Sequence, residues 1–253
     1  MAAVRLNQVV LGEGRTKVIV PITGVDVAEL MAQATELANH ELDIVEWRVD
    51  HLNDAPRTDA VLSAASQLRT ILADRPILFT FRTAAEGGAK TIEPATYAAL
   101  NIAVIESGLI EAVDVEHHFD QAAGEAVIAA AKANDVAVVG SFHDFTGTPA
   151  AEELVSYLVG MQRRGCDIGK VAVLPHDPGD VLTLLSVTWT MADRYPQTPV
   201  LTMSMGGLGL LTRMAGQVVG SCATFAMVGR PSAPGQVPVE DLQPVLRLLD
   251  ANL

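Results

Sequence analysis

Eight short runs of β-branched and other apolar residues recur along the chain, and a window with helical spacing follows each of them. Most runs are apolar throughout rather than alternating with polar residues, as expected for parallel strands buried on both faces. Eight strand–helix units in 253 residues leave roughly 30 residues for each unit and predict an α/β fold, a (β/α)8 TIM barrel. The runs cover residues 17–22, 43–49, 77–82, 112–116, 136–142, 170–175, 199–204 and 221–228.

A doubly wound open sheet is the alternative architecture. It usually carries a glycine-rich fingerprint after its first strand, whereas this chain has VPITGVD there, so the barrel is favoured. The opening segment VRLNQVVLGEGR alternates and predicts a short N-terminal β-hairpin that covers the bottom of the barrel. Barrels of this length commonly form one domain, so we expect a single domain over residues 1–253.

Composition limits the classes of partner. A net charge of −13 repels phosphate backbones, so we expect no nucleic acid to bind. The N-terminus lacks a signal peptide pattern and no apolar stretch is long enough to span a bilayer, so we expect a cytoplasmic protein that binds no membrane. The two cysteines, Cys166 and Cys222, are expected to be reduced thiols of the core.

Polar side chains gather where the predicted strands end. In a barrel, catalytic groups lie at the C-terminal ends of strands and in the loops beyond them. Here these positions hold charged residues, one histidine at the end of the fifth strand, one lysine at the start of the sixth and two methionines near the end of the seventh. The residues are Glu46, Arg48, Arg82, Glu86, Asp114, Glu116, His143, Lys170, Met203, Met205 and Arg213.

Lys170 is a candidate nucleophile. Burial and nearby cations both lower the pKa of an amine, and a neutral amine forms Schiff bases with carbonyl compounds. Arg48, Arg82 and Arg213 are the candidate cations. The alternative is a structural lysine that reaches the barrel rim or pairs with Asp167.

His143 is a candidate general base, because an unperturbed imidazole titrates near neutral pH. Glu86 is placed to orient it, although a histidine at a strand end is also often a simple hydrogen-bonded loop residue. No metal is expected, because His117 and His118 lack a third ligand at a suitable spacing.

The three arginines either pair with nearby carboxylates or bind an anionic substrate, since arginine grips carboxylates with two hydrogen bonds. GGLG at residues 206–209 is a weak phosphate-binding signal, because glycines are also common in strand-to-helix turns. SAPGQ at residues 232–236 forms either a mobile lid or a plain connection.

Motifs along nearly the whole chain resemble those of the type I 3-dehydroquinate dehydratases, the Schiff-base enzymes of the shikimate pathway. They are VIVPITG, DIVEWRVDHL, LFTFRTAAEGG, SFHDFTGTP, GKVAVLP, TMSMG, TRMAGQVVGSCATF and SAPGQVP, in the family's order. The resemblance implies a (β/α)8 barrel, usually a homodimer, that needs no metal or organic cofactor. It also implies a small-molecule carboxylate substrate, 3-dehydroquinate, which loses water by syn elimination to give 3-dehydroshikimate.

The resemblance also assigns roles to residues. Lys170 would form the imine, His143 would act as general base and acid, and Glu86 would support His143. Arg213 would bind the substrate carboxylate. Further contacts to substrate would come from Glu46, Arg48, Arg82, Ser232 and Gln236, with Met203 and Met205 lining the pocket.

Three positions depart from the family pattern: Pro21 stands after the first strand in place of serine, Phe142 precedes the histidine, and Thr212 precedes Arg213. None of them removes a charged group, so the departures bear on affinity rather than on the reaction. Two other functions stay open at this point. One is a class I aldolase-type lyase with the same barrel and lysine, and the other is a non-catalytic barrel that binds its ligand.

Overall fold

The computed structural model describes residues 2–253 and contains an N-terminal hairpin followed by a barrel of eight strands and eight helices. The hairpin strands are β1 (Val4–Leu6) and β2 (Val9–Leu11). The barrel strands are β3 (Lys17–Ile22), β4 (Ile44–Arg48), β5 (Ile77–Thr80), β6 (Ala112–Glu116), β7 (Ala137–Asp144), β8 (Ile168–Val173), β9 (Val200–Ser204) and β10 (Ala223–Phe225). The helices are α1 (Val27–Leu37), α2 (Thr58–Leu72), α3 (Pro94–Glu106), α4 (Gln121–Ala133), α5 (Ala151–Arg164), α6 (Pro178–Arg194), α7 (Leu210–Ala215) and α8 (Val239–Asp250).

The eight barrel strands are all parallel and follow the order β10-β3-β4-β5-β6-β7-β8-β9. The ring closes between β9 and β10, where Val200 bridges to Ser221 and the Cys222 amide donates to the Val200 carbonyl at 2.8 Å. The predicted barrel is therefore confirmed, and the open sheet is excluded.

The hairpin plugs the N-terminal end of the barrel. Leu6 and Leu11 are buried and pack in the cluster that fills the barrel interior, together with Ile19, Ile44 and Leu78. Apolar burial of this kind contributes roughly 25 cal/mol for each Å² removed from water. With the lower end filled, the C-terminal ends of the strands form the open end of the barrel.

The helices pack around the outside through apolar stripes. In α6 the Asp177 side chain caps the N-terminus by accepting from the amides of Gly179 and Asp180, and a proline occupies the first turn, where its missing N–H costs nothing. Leu184 and Met191, two helical turns apart, are both buried against the barrel.

Lys170 lies inside its strand rather than at the start of it. β8 begins at Ile168, so Lys170 is the third residue. The sequence analysis had predicted that this strand starts at Lys170, directly after Gly169. A Cβ atom there would lie 2.9 Å from the end of the Leu158 side chain, so glycine leaves room for α5 to pack closely on the strand.

Among the other strand limits that differ from prediction, two concern residues of the site. β7 continues to Asp144, which makes His143 the penultimate residue of the strand. β5 ends at Thr80, so Arg82 lies two residues beyond the strand. The Arg82 backbone amide donates to the Asp50 carboxylate at 3.2 Å instead of continuing the sheet.

The two cysteines are buried, as predicted for core thiols. Burial raises the pKa of both thiols to about 12, so neither is a reactive thiolate near neutral pH. Within residues 2–253, no helix has both the length and the apolar character needed to cross a lipid bilayer.

Candidate active site

A narrow cavity of about 80 Å³ opens at the C-terminal end of the barrel. The eleven residues to which the family resemblance assigns a role all line it, and they come from strands, loops and the helix α7. They are Glu46, Arg48, Arg82, Glu86, His143, Lys170, Met203, Met205, Arg213, Ser232 and Gln236.

Lys170 lies at the floor of this cavity and is 3% exposed. Its Nζ atom is 3.3 Å from Glu46 Oε1 and 3.3 Å from Asp114 Oδ2. The Phe225 ring centroid is 4.8 Å from Nζ, a distance at which an aromatic face attracts a cation. The lysine is therefore held between two carboxylates and an aromatic ring at the floor of the cavity.

The alternative partner of Lys170, Asp167, is engaged elsewhere. Its carboxylate accepts a hydrogen bond from the Val138 backbone amide at 2.8 Å. A structural pair between Lys170 and Asp167 is therefore excluded.

Arg82 is the centre of a buried ion network. It lies 2.7 Å from Asp114 and 2.9 Å from Glu116, and its Nη1 atom donates to the Ser141 hydroxyl at 2.9 Å. Burial alone would lower the pKa of Arg82, but Asp114 and Glu116 outweigh it and raise the pKa above its usual value. Arg82 therefore fixes the carboxylate that contacts Lys170.

His143 and Glu86 form a hydrogen-bonded pair, with 2.9 Å between His143 Nδ1 and Glu86 Oε2. Burial raises the pKa of Glu86 to about 8. Burial also lowers the pKa of His143 well below its usual value, and the charges of Arg82 and Lys170 add to that effect. Burial therefore favours the neutral carboxyl of Glu86 and the neutral imidazole of His143. Because Glu86 is bonded to Nδ1, the Nε2 atom of His143 is available to other groups.

Arg48 is held by a residue that the sequence interpretation missed. Asp50 is fully buried and accepts two hydrogen bonds from Arg48, both of 2.9 Å. Burial works to raise the pKa of Asp50, but the hydrogen bonds and charge of Arg48 outweigh it and keep that pKa below its usual value. Asp50 also accepts from the Ala89 amide at 2.9 Å, so it ties Arg48 to the loop that carries Glu86.

Arg213 differs from the other arginines of the site. It is 1% exposed, and its polar contacts are the carbonyls of Phe225 at 3.4 Å and Pro234 at 3.1 Å and the Met203 sulfur at 3.7 Å. Within residues 2–253, no carboxylate lies within 4.0 Å of it. Burial lowers its pKa to about 10. A buried cation without a counter-ion is an unsatisfied anion site.

The segment SAPGQ covers one side of the cavity. Ser232 and Gln236 bond to each other through their side chains, with Gln236 Nε2 donating to the Ser232 hydroxyl at 3.1 Å. Gly235 has a positive φ of 75°, and a Cβ there would lie 2.4 Å from the Gly206 carbonyl oxygen. Glycine therefore lets this segment rest directly on the loop after β9.

The three departures from the family pattern all lie outside the cavity lining. Pro21 is the fifth residue of β3 rather than a residue after it. Phe142 packs away from the cavity against His118 and Tyr157. The Thr212 hydroxyl accepts from the Ser204 amide at 3.0 Å and donates to the Gly209 carbonyl at 2.7 Å.

Gly209 of the GGLG motif has a packing role. A Cβ on Gly209 would lie 2.0 Å from the Ser204 carbonyl oxygen, so glycine is needed for the tight turn into α7. No group of three or more histidine, cysteine or carboxylate side chains suited to a metal ion occurs within residues 2–253.

Some site residues carried a detectable sequence signal and others did not. Asp50 continues the alternation of Glu46 and Arg48, and Ser141 precedes His143 by two residues, so both could have been placed on the inner face. Phe145 and Phe225 also line the cavity. In the sequence, a phenylalanine that lines a cavity cannot be told from one that packs in the hydrophobic core, so neither residue could have been predicted.

Comparison with known sequences gives one consistent result. The model of a family described as type I 3-dehydroquinase matches residues 18–252. A 3-dehydroquinate dehydratase from Bacillus licheniformis is 43% identical over 250 residues, which cover 99% of this chain and 98% of the relative. One from Salmonella paratyphi B is 44% identical over 249 residues, with coverages of 98% and 99%.

Solved structures agree. A type I 3-dehydroquinate dehydratase from Clostridium difficile, crystallised with covalently modified comenic acid, has a TM-score of 0.97 and 39% identity, covering 100% of this chain and 99% of that one. A 3-dehydroquinate dehydratase from Geobacillus kaustophilus has a TM-score of 0.95 and 37% identity, with coverages of 99% and 97%. The similarity spans nearly the whole chain.

Proposed function

Since the chain belongs to the type I 3-dehydroquinase family, we propose that its reaction proceeds through an imine on Lys170. The reaction is the dehydration of 3-dehydroquinate to 3-dehydroshikimate, a hydro-lyase step of the shikimate pathway and of aromatic amino acid biosynthesis. The observation that carries the mechanism is the placement of Lys170 and His143. They lie on adjacent strands, and both line one cavity.

The first step needs a neutral amine. Glu46 and Asp114 are the acceptors within reach of the Lys170 proton, each at 3.3 Å. The free amine attacks the ketone carbon of the substrate, and the proton that the lysine gave up returns to the departing hydroxyl, so that loss of water leaves a protonated imine. The imine nitrogen then withdraws electrons from the adjacent carbon and acidifies its hydrogen.

The second step needs one base that serves twice. His143 Nε2 takes the acidified proton while Glu86 holds Nδ1, and an enamine forms. The same imidazolium then protonates the departing hydroxyl, which leaves as water while the enamine electron pair forms the new carbon–carbon double bond of a conjugated, protonated imine. Hydrolysis releases the product and returns Lys170 to its amine form. One base on one face of the ligand accounts for a syn elimination.

Binding of the substrate rests on the remaining side chains of the cavity. Arg213 receives the carboxylate, because it is the buried cation that lacks a counter-ion. Hydroxyl groups of the substrate are contacted by Glu46, Arg48, Arg82, Ser232 and Gln236. Met203 and Met205 supply the apolar wall.

We further propose that the protein acts in the cytoplasm as a homodimer of one-domain subunits over residues 1–253. Its charge of −13 is the reason to expect no nucleic-acid partner. Lys170 itself supplies the electrophilic imine, so the proposed reaction calls on no metal and no organic cofactor.

Borohydride trapping tests the mechanism. The protein is incubated with 3-dehydroquinate, reduced with borohydride and digested, and the mass increase is located by peptide mapping. We expect one reduced adduct on Lys170 and none in a Lys170→Ala variant, with Lys132→Ala on the exposed side of α4 as the control. Dehydration without any adduct in folded protein contradicts the imine. A reduced adduct without product formation indicates a barrel that binds and does not turn over.

A further inference from the structure

Asp50 is a fully buried carboxylate that does not line the active-site cavity. It accepts four hydrogen bonds, two on each oxygen. Its Oδ1 atom accepts from Arg48 Nε at 2.9 Å and from the Arg82 backbone amide at 3.2 Å. Its Oδ2 atom accepts from Arg48 Nη2 at 2.9 Å and from the Ala89 backbone amide at 2.9 Å. Any effect of Asp50 on the reaction must therefore pass through these donors.

The two backbone amides lie on either side of the residue that orients the catalytic base. Glu86 ends a short 3-10 turn, and Arg82 and Ala89 lie just before and just after that turn. One carboxylate therefore holds both the entry and the exit of the loop. The distance of 2.9 Å between Glu86 Oε2 and His143 Nδ1 depends on where this loop lies. Asp50 thus fixes the position from which Glu86 reaches the imidazole.

The two side-chain bonds fix the guanidinium of Arg48, which lines the cavity. Two parallel hydrogen bonds to a carboxylate hold this planar group in one orientation. Within residues 2–253, Asp50 is the one carboxylate within 4.0 Å of Arg48. The Nη1 atom of Arg48 takes no part in the contact, so it is left for a ligand. Asp50 therefore sets the orientation in which Arg48 meets the substrate.

The loop that carries Glu86 is also fastened at a second point. Lys90 Nζ donates to the carbonyls of Asn53 at 3.3 Å and Ala55 at 3.1 Å, in the turn after β4. The loop therefore stays attached to this turn when the carboxylate of Asp50 is removed. We expect substitution of Asp50 to loosen the loop rather than to unfold the barrel.

We propose that Asp50 is a positioning residue, which holds the substrate-binding Arg48 and the base-orienting Glu86 in one fixed arrangement. The proposal rests on the roles of these two residues in the proposed function and adds the group that keeps them aligned. Asp50 follows β4 directly, so the barrel wall is the common reference for both side chains. It does not itself touch the substrate or the reacting atoms.

Steady-state kinetics of Asp50→Asn in the full chain test this proposal. The amide oxygen can serve only two of the four donors, and its NH2 group faces the other two. We expect KM to rise about 10-fold, because Arg48 loses a bond between charged groups. We expect kcat to fall about 100-fold, because Glu86 is displaced. Asp59→Asn is the matched control, since Asp59 is exposed and also accepts from an arginine, Arg57, at 3.0 Å.

Double variants separate positioning from a general loss of stability. With Arg48→Gln already present, Asp50→Asn should have little further effect on KM. With Glu86→Gln present, it should have little further effect on kcat, because the group that it positions is already gone. A purely structural role predicts the same additional loss in every background, and that result overturns the proposal.

A second variant covers the case in which Asp50→Asn does not fold. Asp50→Glu keeps a charge beside Arg48 but adds a methylene group, so its carboxylate cannot hold both amides of the loop at their present distances. We expect kcat to fall more than KM rises in this variant. Wild-type kcat in Asp50→Glu would show that charge alone is sufficient and would overturn the positioning role.

The borohydride adduct keeps the two proposals apart. Asp50→Asn with saturating 3-dehydroquinate should still give the reduced adduct on Lys170, which Glu46 and Asp114 hold. Wild-type kcat and KM together with an adduct in Asp50→Asn overturn the role of Asp50 and leave the imine standing. Dehydration without an adduct in wild type overturns the imine, and the kinetics of the double variants still decide the role of Asp50.

Discussion

Lys170 and His143 lie on the same side of the adjacent strands β8 and β7, two residues apart along the register. Lys170 pairs with Ser141 and His143 pairs with Ala172, so the imidazole stands two residues nearer the open end than the amine. Alternate strand residues share a face. This relationship lets the amine hold one carbon of a ligand while the imidazole reaches a neighbouring carbon.

The separation of these two groups predicts a separation of chemical steps. We expect His143→Ala to reduce kcat by roughly 10²–10⁴-fold, because it removes proton transfer, and to leave the trapped Lys170 adduct in place. Rapid quench with borohydride measures both. His176→Ala, an exposed histidine on the loop after β8, is the control. Loss of the adduct in His143→Ala would contradict the division of roles.

The Glu86–His143 pair predicts a pH dependence. His143 Nε2 is a free base only when the pair has lost its proton, and burial raises the pKa of Glu86 to about 8. As pH falls through that value the pair takes up a proton, so kcat/KM of wild type should fall. In Glu86→Gln the acid limb should move to lower pH, because it then reflects the lowered pKa of His143. An acid limb at the same pH in both proteins would contradict this assignment.

The same pair affects stability with the opposite sign. A carboxyl group whose pKa is raised on folding stabilises the fold below its unfolded pKa of about 4.3, and that contribution is lost as pH rises through the folded value. The free energy of unfolding of wild type relative to Glu86→Gln should therefore decrease between about pH 4 and pH 8. Urea titrations at several pH values measure it, and a constant difference would speak against a raised pKa.

The lone cation Arg213 predicts a loss of binding without a loss of stability. We expect Arg213→Gln to raise KM about 10- to 100-fold, the effect of one hydrogen bond between charged groups. The ligand-free fold should not be destabilised, because the variant no longer buries an unpaired charge. Arg230→Gln, an exposed arginine after β10, is the control. An unchanged KM would remove Arg213 from the carboxylate site.

The close packing of Gly88, in the loop before α3, predicts that a larger residue there displaces Glu86. A Cβ on Gly88 would lie 1.9 Å from the Arg82 carbonyl oxygen, so Gly88→Ala must displace the loop. Overpacking of this kind costs about 1–3 kcal/mol, and kcat should fall because Glu86 moves away from His143. In Gly207→Ala the added Cβ meets no atom within 4 Å, which makes it the matched control. Wild-type kcat in Gly88→Ala would show that the loop tolerates displacement.

The sequence predicted the barrel because its signal is repeated eight times. The limits of β3 and β6 agree with prediction, since polar residues or turns bound each run clearly. The start of β8 was missed at Gly169, whose role depends on how closely α5 approaches. A contact between segments that are distant in sequence leaves no local sequence pattern. The start of β8 could therefore not be predicted from the residues around Gly169 alone.

The site was predicted as a set of residues, but its internal pairing was not. Three arginines and several carboxylates at strand ends allow many arrangements. The structure selects Arg82 with Asp114 and Glu116, Arg48 with Asp50, and leaves Arg213 without a carboxylate. Except for the local pair Arg48 and Asp50, these contacts depend on strand register and loop path, which bring together residues as far apart as 34 positions (Arg82 and Glu116) or 124 positions (Glu46 and Lys170).

Asp114 accepts from three side chains at once: Lys170, Arg82 and the Ser141 hydroxyl at 2.6 Å. Replacing any one of the four leaves buried charge or polarity unmatched in the others. A lineage cannot drift through these positions one residue at a time without passing through a less stable or less active intermediate. Laboratory evolution toward a new substrate should therefore change the rim of the cavity first and leave this quartet as an inherited unit.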